Sequence, residues 1–248
     1  MPNDAATRLA VLIDADNSTA SVTKALLDEV ATYGTPTVKR AYGDWTTPNL
    51  GSWKTQLLEH AIQPIQQFAY TRGKNSTDSA LIIDAMDLLY AGNLDGFVIV
   101  SSDSDFTRLA TRLRESGMTV YGIGRRNTPM AFVEACDRFI YLDLLGAETE
   151  PPAETRSEAP TPPLPKLKPA LSTAITSTAK DDGWSHLGEV GSYLINANRA
   201  FDARDYGHPR LGELVRAQSY VEVRDVPGHP GQLSVRLKPT TRKPRQKK

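Results

Sequence analysis

The chain has 248 residues, of which 40% are hydrophobic and 23% charged, with Cys136 as its single cysteine. That length holds one large domain or two ordinary ones, and a lone thiol excludes both an intramolecular disulfide framework and a cysteine zinc site. The zero net charge conceals an asymmetry: Arg236 to Lys248 carries 7 bases and no acid, whereas residues 8–145 carry 13 bases against 16 acids. A basic tail behind acidic domains points to a polyanionic partner, most economically nucleic acid, although a merely solubilising tail has the same composition. No apolar run reaches the ~20 residues of a membrane span. No basic region precedes the short apolar run near the start, so the expected compartment is the cytoplasm.

In chain order, Leu9 to Ile13 is an apolar run expected to form a buried strand ending in Asp14, followed by a helix from Thr19 to Tyr33. Thr37 to Tyr42 is a second strand, Asn49 to His60 a helix and Ile65 to Ala69 a third strand. A helix is predicted over Ser76 to Tyr90, with Gly92 just past its end and Leu81, Met86, Leu88 and Leu89 as candidate core residues. Gly96 to Ser101 is again continuously apolar and leads into a helix from Phe106 to Ser116, with Gly117 as its C-cap. Met118 to Ile123, a short helix from Pro129, and Phe139 to Leu142 follow. Continuously apolar strands alternating with helices predict a parallel sheet covered on both faces, a three-layer α/β domain over residues 1–145.

Residues 146–180 hold 7 of the 17 prolines among Glu, Ser, Thr and Ala. Such a segment is expected to be a flexible, extended linker. Beyond it, Leu187, Val190, Leu194 and Ala197 recur at helical spacing behind Ser185 as a possible N-cap. A shorter helix runs from Pro209 to Ala217. Tyr220 to Arg224 and Gln232 to Leu237 alternate apolar and polar residues and predict a β-hairpin. Helices followed by a hairpin over residues 181–238 fit a small winged-helix domain, with residues 239–248 as a basic tail.

The acidic residues carry the chemistry. Two apolar strands run into Asp14-Ala-Asp16-Asn17 and into Ser101-Ser-Asp103-Ser-Asp105, and Asp78 lies at a helix start. In open α/β sheets, sites collect beyond the carboxyl ends of the strands. If the two strands are neighbours, Asp14 and Asp103 share one crevice. Carboxylates converging without bases are costly unless a divalent cation sits among them, and oxygen ligands favour Mg²⁺ or Mn²⁺ over zinc. Metal-assisted phosphoryl chemistry follows. Each residue also has a plain structural use, since Asp16, Asn17, Ser76 and Ser104 are good helix caps.

The run Leu12-Ile-Asp14-Ala-Asp16-Asn17, then Lys74 with Asp78 and Asp84, then Val98 to Ser102 followed by Asp103-Ser-Asp105-Phe106, resembles a NYN domain of the LabA-type, PIN-like nuclease superfamily. The resemblance covers residues 8–145. It implies a metal-dependent ribonuclease, a hydrolase of RNA phosphodiesters, with Asp14, Asp78, Asp103 and Asp105 as catalytic metal ligands. By the same resemblance Asn17 tunes the site or contacts substrate and Lys74 holds a phosphate. Asp84 matches the motif too, yet six residues after Asp78 is 600° of helix, about 120° off its face. Arg125 and Arg126, just past a strand end, are candidate phosphate contacts or a solvated pair.

Asp182-Gly-Trp184, Phe201, Arg204, Tyr206-Gly207, Leu211 and the closing hairpin resemble an OST-HTH, or LOTUS, domain, which implies RNA as partner. Core packing is the favoured expectation for Trp184, Phe201 and Tyr206. Two other functions stay open: a catalytically weak RNA-binding adaptor, and a haloacid-dehalogenase-type phosphatase built on Asp14 and Asp16. Ser18 stands against the latter, where that family has Thr or Val. Oligomeric state is open, a homodimer included.

Overall fold

The computed structural model describes residues 7–68, 76–146, 164–226 and 229–239, which fall into two units dividing between Pro162 and Pro163. In the first unit the apolar run at the start of the chain becomes β1 (Arg8–Asp14), the centre of a sheet. It is followed by α1 (Thr23–Val30), β2 (Thr35–Gly43), α2 (Trp53–Glu59), β3 (Gln63–Gln66) and α3 (Ser76–Tyr90). Then come β4 (Gly96–Val100), α4 (Thr107–Glu115), β5 (Thr119–Gly124), α5 (Met130–Ala135) and β6 (Arg138–Tyr141). The six strands are parallel in the order β3-β2-β1-β4-β5-β6.

This is the expected α/β architecture, and its strand alternation explains the layers. Leu9, Val11 and Ile13 join Val98 and Val100 in a core with Leu26, Val30, Trp53 and Leu57. Ala10, Leu12, Phe97 and Ile99, also fully buried, are the alternate residues and face the other side. There α3 packs over β1 and β2 and α4 over β5. Every residue of β4 is buried, as a strand covered on both faces requires. The predicted helices at Thr19 and Asn49 each open with a 3-10 turn, Ala20–Val22 and Pro48–Leu50, so the α-helices start later than expected. The third strand lies two residues earlier than expected, at Gln63–Gln66. Among the candidate core residues of α3, Leu81 is fully buried, while Met86, Leu88 and Leu89 are half-buried.

The second unit contains α6 (Leu167–Ser177), β7 (Ser185–His186), α7 (Leu187–Ala197), α8 (Leu211–Arg216), β8 (Val221–Val226) and β9 (His229–Leu237). Its strands form an antiparallel sheet in the order β7-β9-β8. Helix, strand, two helices and a two-stranded wing is the winged-helix order. Here the structure corrects the linker expected over residues 146–180. Residues 167–177 are a helix whose Leu171, Ala174 and Ile175 are buried in the core of the second unit with Val190, Leu194, Leu214 and Val235. Leu167, Ala170, Leu171, Ala174 and Ile175 stand at i, i+3, i+4, i+7 and i+8, an amphipathic stripe. Pro169 falls in the first turn, where a missing N–H costs nothing. Residues 147–163 of that expected linker, and residues 240–248 of the tail, lie outside the described residues.

Ser185 is likewise not a cap. It is fully buried in β7, and its hydroxyl donates to the Ile175 carbonyl at 2.7 Å, tying α6 to the sheet. The hairpin also differs from expectation, since β9 begins at His229, within the expected connection. Two bases of the C-terminal cluster belong to the fold: Arg236 pairs with Glu222 at 2.6 Å, and Lys238 donates to the Ser219 carbonyl at 2.7 Å. Phe201 is core, as expected, and Tyr206 packs against it and donates to the Pro165 carbonyl. Trp184 differs: it is half-buried, with the guanidinium groups of Arg224 and Arg236 at 4.0 and 4.6 Å from its ring centroid.

Candidate metal centre

The chain runs outward from β1 to β2 and β3, then returns to lay β4 on the other side of β1. The strand order therefore reverses between β1 and β4, and in open α/β sheets ligands collect beyond the carboxyl ends at such a reversal. Asp14 is the last residue of β1 and has no exposed surface. Its Oδ2 accepts from the Ser101 hydroxyl at 2.8 Å and from Asn17 Nδ2 at 2.9 Å, and its Oδ1 faces the Asn17 N–H at 3.3 Å. Burial raises its pKa above the ordinary carboxylate value, and these hydrogen bonds act against the rise.

Ser101 follows β4 directly and ties the two strand ends together. While donating to Asp14 it accepts from the Asp103 N–H at 3.1 Å. Asp103 in turn caps the 3-10 turn Ser104–Phe106, accepting from the Asp105 N–H at 2.9 Å. Asp103, not Ser104, is thus the capping residue. Asp78 enters from the first turn of α3 and is nearly buried. Carboxylate oxygens of Asp78, Asp103 and Asp105 lie within 4.8 Å of one another. Burial, followed by the charges of Asp14, Asp103, Asp105 and Asp16, pushes the Asp78 carboxyl up to about 6. Asp16 is exposed, and its Oδ2 accepts from the Thr77 hydroxyl at 2.9 Å, linking the loop after β1 to the start of α3.

The remaining sequence candidates divide. Asn17 directs its side-chain donor at Asp14. Arg125 is exposed just beyond β5, and its N–H donates to Ser102 Oγ at 2.8 Å, beside the β4 strand end. Arg126 turns toward β6, its guanidinium 4.7 Å from the Tyr141 ring centroid and 3.7 Å from Asp143. Lys74 lies outside the described residues. Asp84 is held by Arg40 and Tyr42 on β2, so the helical-wheel doubt about it as a ligand agrees with its partners. Ser101 and Thr77, the hydroxyls that join the acidic loops, are not among the sequence candidates. For Ser101 the signal was a serine just past an apolar strand; Thr77, second in α3, gave none.

The donor set suits a hard divalent cation. The three clustered residues offer carboxylate oxygen alone. Adjacent ligands of an octahedral Mg²⁺ lie about 3 Å apart and opposite ones about 4.2 Å, so oxygens within 4.8 Å of one another reach a shared ion once the side chains draw together by up to about 2 Å. The Asp78 carboxyl is raised by burial first and by its carboxylate neighbours second, and a cation bound among them would act against both.

Residues 8–143 match the family model described as the NYN domain, and residues 162–232 match that of the OST-HTH/LOTUS domain. The second match begins before α6, consistent with that helix belonging to the second unit. No curated protein matches the chain. Among solved structures, a protein of unknown function from Vibrio parahaemolyticus is similar at 19% identity, covering 57% of this chain and 96% of its own, with a TM-score of 0.48. An uncharacterised protein from Nitrosomonas europaea is 27% identical over 39% of this chain and 95% of its own, at a TM-score of 0.29. A protein from Chromobacterium violaceum, solved over its residues 175–257, is 34% identical over 29% of this chain and 79% of its own, at a TM-score of 0.25.

Proposed function

The chain belongs to the NYN domain family, and from that premise we propose that it is a Mg²⁺- or Mn²⁺-dependent ribonuclease whose OST-HTH/LOTUS domain holds RNA. The observation that carries the reading is the convergence of the Asp78, Asp103 and Asp105 carboxylates at the strand-order reversal, beside the buried Asp14. A bound divalent ion supplies activation of water and stabilisation of the departing oxygen. Asp78, Asp103 and Asp105 hold that ion, and Asp14, with Ser101 and Asn17 as its hydrogen-bond partners, adds charge from behind. Arg125, exposed with its N–H on Ser102 beside the β4 strand end, is the candidate phosphate contact, whereas Arg126 is engaged by Asp143 and Tyr141.

The recognition of RNA is assigned to the second unit. Its α8 is flanked by the exposed Arg210 and carries the exposed Arg216, and the sequence beyond Pro239 adds five bases. The test is cleavage of end-labelled RNA by purified full-length protein in Mn²⁺, with a chelator control. Cleavage that chelation abolishes supports the reading. RNA bound but left intact assigns the chain to the adaptor class. Turnover of p-nitrophenyl phosphate with RNA untouched assigns it to the phosphatases.

A further inference from the structure

One contact behind the acidic cluster joins two elements that the core alone does not lock. Arg40 and Tyr42, alternate residues on one face of β2, both donate to Asp84 on α3, Arg40 through Nη1 to Oδ1 and Tyr42 through its hydroxyl to Oδ2. The site is sheltered: Tyr42 is fully buried, and the side chains of Arg40 and Asp84 are 25% and 22% exposed. Tyr42 is also the register partner of Asp14, and its carbonyl accepts from the Ala15 N–H at 2.9 Å. One residue of β2 thereby touches both the strand end that bears Asp14 and the helix that bears Asp78.

Side-chain hydrophobicity gives α3 little rotational preference. Leu81 and Ala85 face inward, yet Ile82, Met86, Leu88 and Leu89 are half-buried, and Ile83 and Tyr90 are 62% and 74% exposed. A helix with apolar side chains nearly all round exchanges one buried face for another at small cost. The metal centre tolerates no such slack. A carboxylate about 6 Å from the helix axis moves by about 2 Å when the helix turns by about 20°, against a tolerance of about 0.2 Å in metal–ligand distances.

We propose that the Arg40–Tyr42–Asp84 contact sets the rotation of α3 and so places Asp78 in the acidic cluster, making Asp84 a positioning residue and not a ligand. It rests on the metal-site part of the proposed function, namely that Asp78 helps to hold a divalent ion. Six residues and about 9 Å along the helix separate Asp84 from Asp78, so its effect on the ion passes through the helix.

The experiment titrates Mn²⁺ into the full-length protein by calorimetry, alongside urea unfolding and RNA cleavage. Tyr42→Phe removes one bond and keeps the ion pair, whereas Asp84→Asn removes the charge facing Arg40. Both variants are expected to bind Mn²⁺ about tenfold to a hundredfold more weakly, with cleavage recovering at saturating Mn²⁺. Val30→Ala, a fully buried residue of α1 in the core on the opposite face of the sheet, is the control for general loss of stability and is expected to leave the affinity within about twofold. Affinity within about twofold of wild type in Tyr42→Phe, or an equal loss in Val30→Ala, overturns the proposal. A wild-type protein that binds no Mn²⁺ overturns it together with the metal-dependent reading. A wild-type protein that binds Mn²⁺ but leaves RNA intact removes the ribonuclease reading alone, and weaker Mn²⁺ binding by the variants still supports the positioning role.

Discussion

Replacing Asp14 by asparagine separates the charge of this residue from its shape. Oδ2 carries both short hydrogen bonds, from Ser101 and Asn17 Nδ2, while among the described residues Oδ1 meets the Asn17 N–H at 3.3 Å. An amide with its oxygen in the Oδ2 position keeps the first two, but sets its NH2 against the Asn17 N–H in a buried site, a cost of about 1–2 kcal/mol. Against that stands the relief of repulsion. The rise of the Asp78 carboxyl from 3.8 to about 6 corresponds to about 3 kcal/mol, with burial the largest cause and Asp14 the largest of the carboxylate causes. On the order of 1 kcal/mol therefore returns when Asp14 loses its charge. Metal-free Asp14→Asn is expected to lie within about 1 kcal/mol of wild type in urea unfolding at neutral pH with chelator. Its Mn²⁺-dependent cleavage of labelled RNA is expected to fall by about a hundredfold or more. Wild-type cleavage by the variant, or a destabilisation above about 2 kcal/mol, refutes the reasoning.

The pH dependence follows from Asp78. Its folded pKa of about 6 lies above the ordinary 3.8, so between these values the metal-free folded state binds more protons than the unfolded chain. Stability therefore falls as pH rises from about 4 to 6. A divalent ion must displace that proton, so Mn²⁺ affinity measured by calorimetry is expected to rise through the same range and level off above about 6; an affinity flat with pH contradicts the assignment. A fragment spanning residues 181–239 lacks Leu171, Ala174 and Ile175 of the core and is expected to be unfolded by circular dichroism, whereas residues 164–239 fold cooperatively. Equal folding of both fragments contradicts the role given to α6. Truncation after Pro239 removes Arg242, Lys243, Arg245, Lys247 and Lys248. It is expected to weaken RNA binding at low salt and to flatten the log–log salt slope by about 0.7 for each phosphate that the tail no longer neutralises; an unchanged slope makes the tail a bystander.

The parallel sheet was readable because it rests on a short-range pattern. Of the four carboxylates expected to share an ion, Asp78, Asp103 and Asp105 converge, while Asp14 is held by Ser101 and Asn17. β1 is an apolar run ending in Asp14 and β4 one followed within three residues by Asp103, and their adjacency follows from the common order of such sheets. α6 was obscured because Pro151 to Pro169 reads as one biased segment. Its five apolar residues at helical spacing carried the contrary signal, and a proline in the first turn does not oppose a helix. Ser185 looked like a cap because local spacing cannot show that the Ile175 carbonyl, ten residues back, needs a donor. The pairing of Asp84 with Arg40 and Tyr42 spans more than forty residues, and only the folded sheet brings these side chains together. Helical geometry showed where Asp84 does not point; it gave no sign of what it meets.

The measurement closest to the central claim is anomalous diffraction from crystals of the full-length protein grown with Mn²⁺. The account predicts a peak within bonding distance of Asp78, Asp103 and Asp105, absent from Asp103→Asn crystals. Mn²⁺-dependent RNA cleavage by protein whose crystals show the ion elsewhere, with these three carboxylates unliganded, contradicts it.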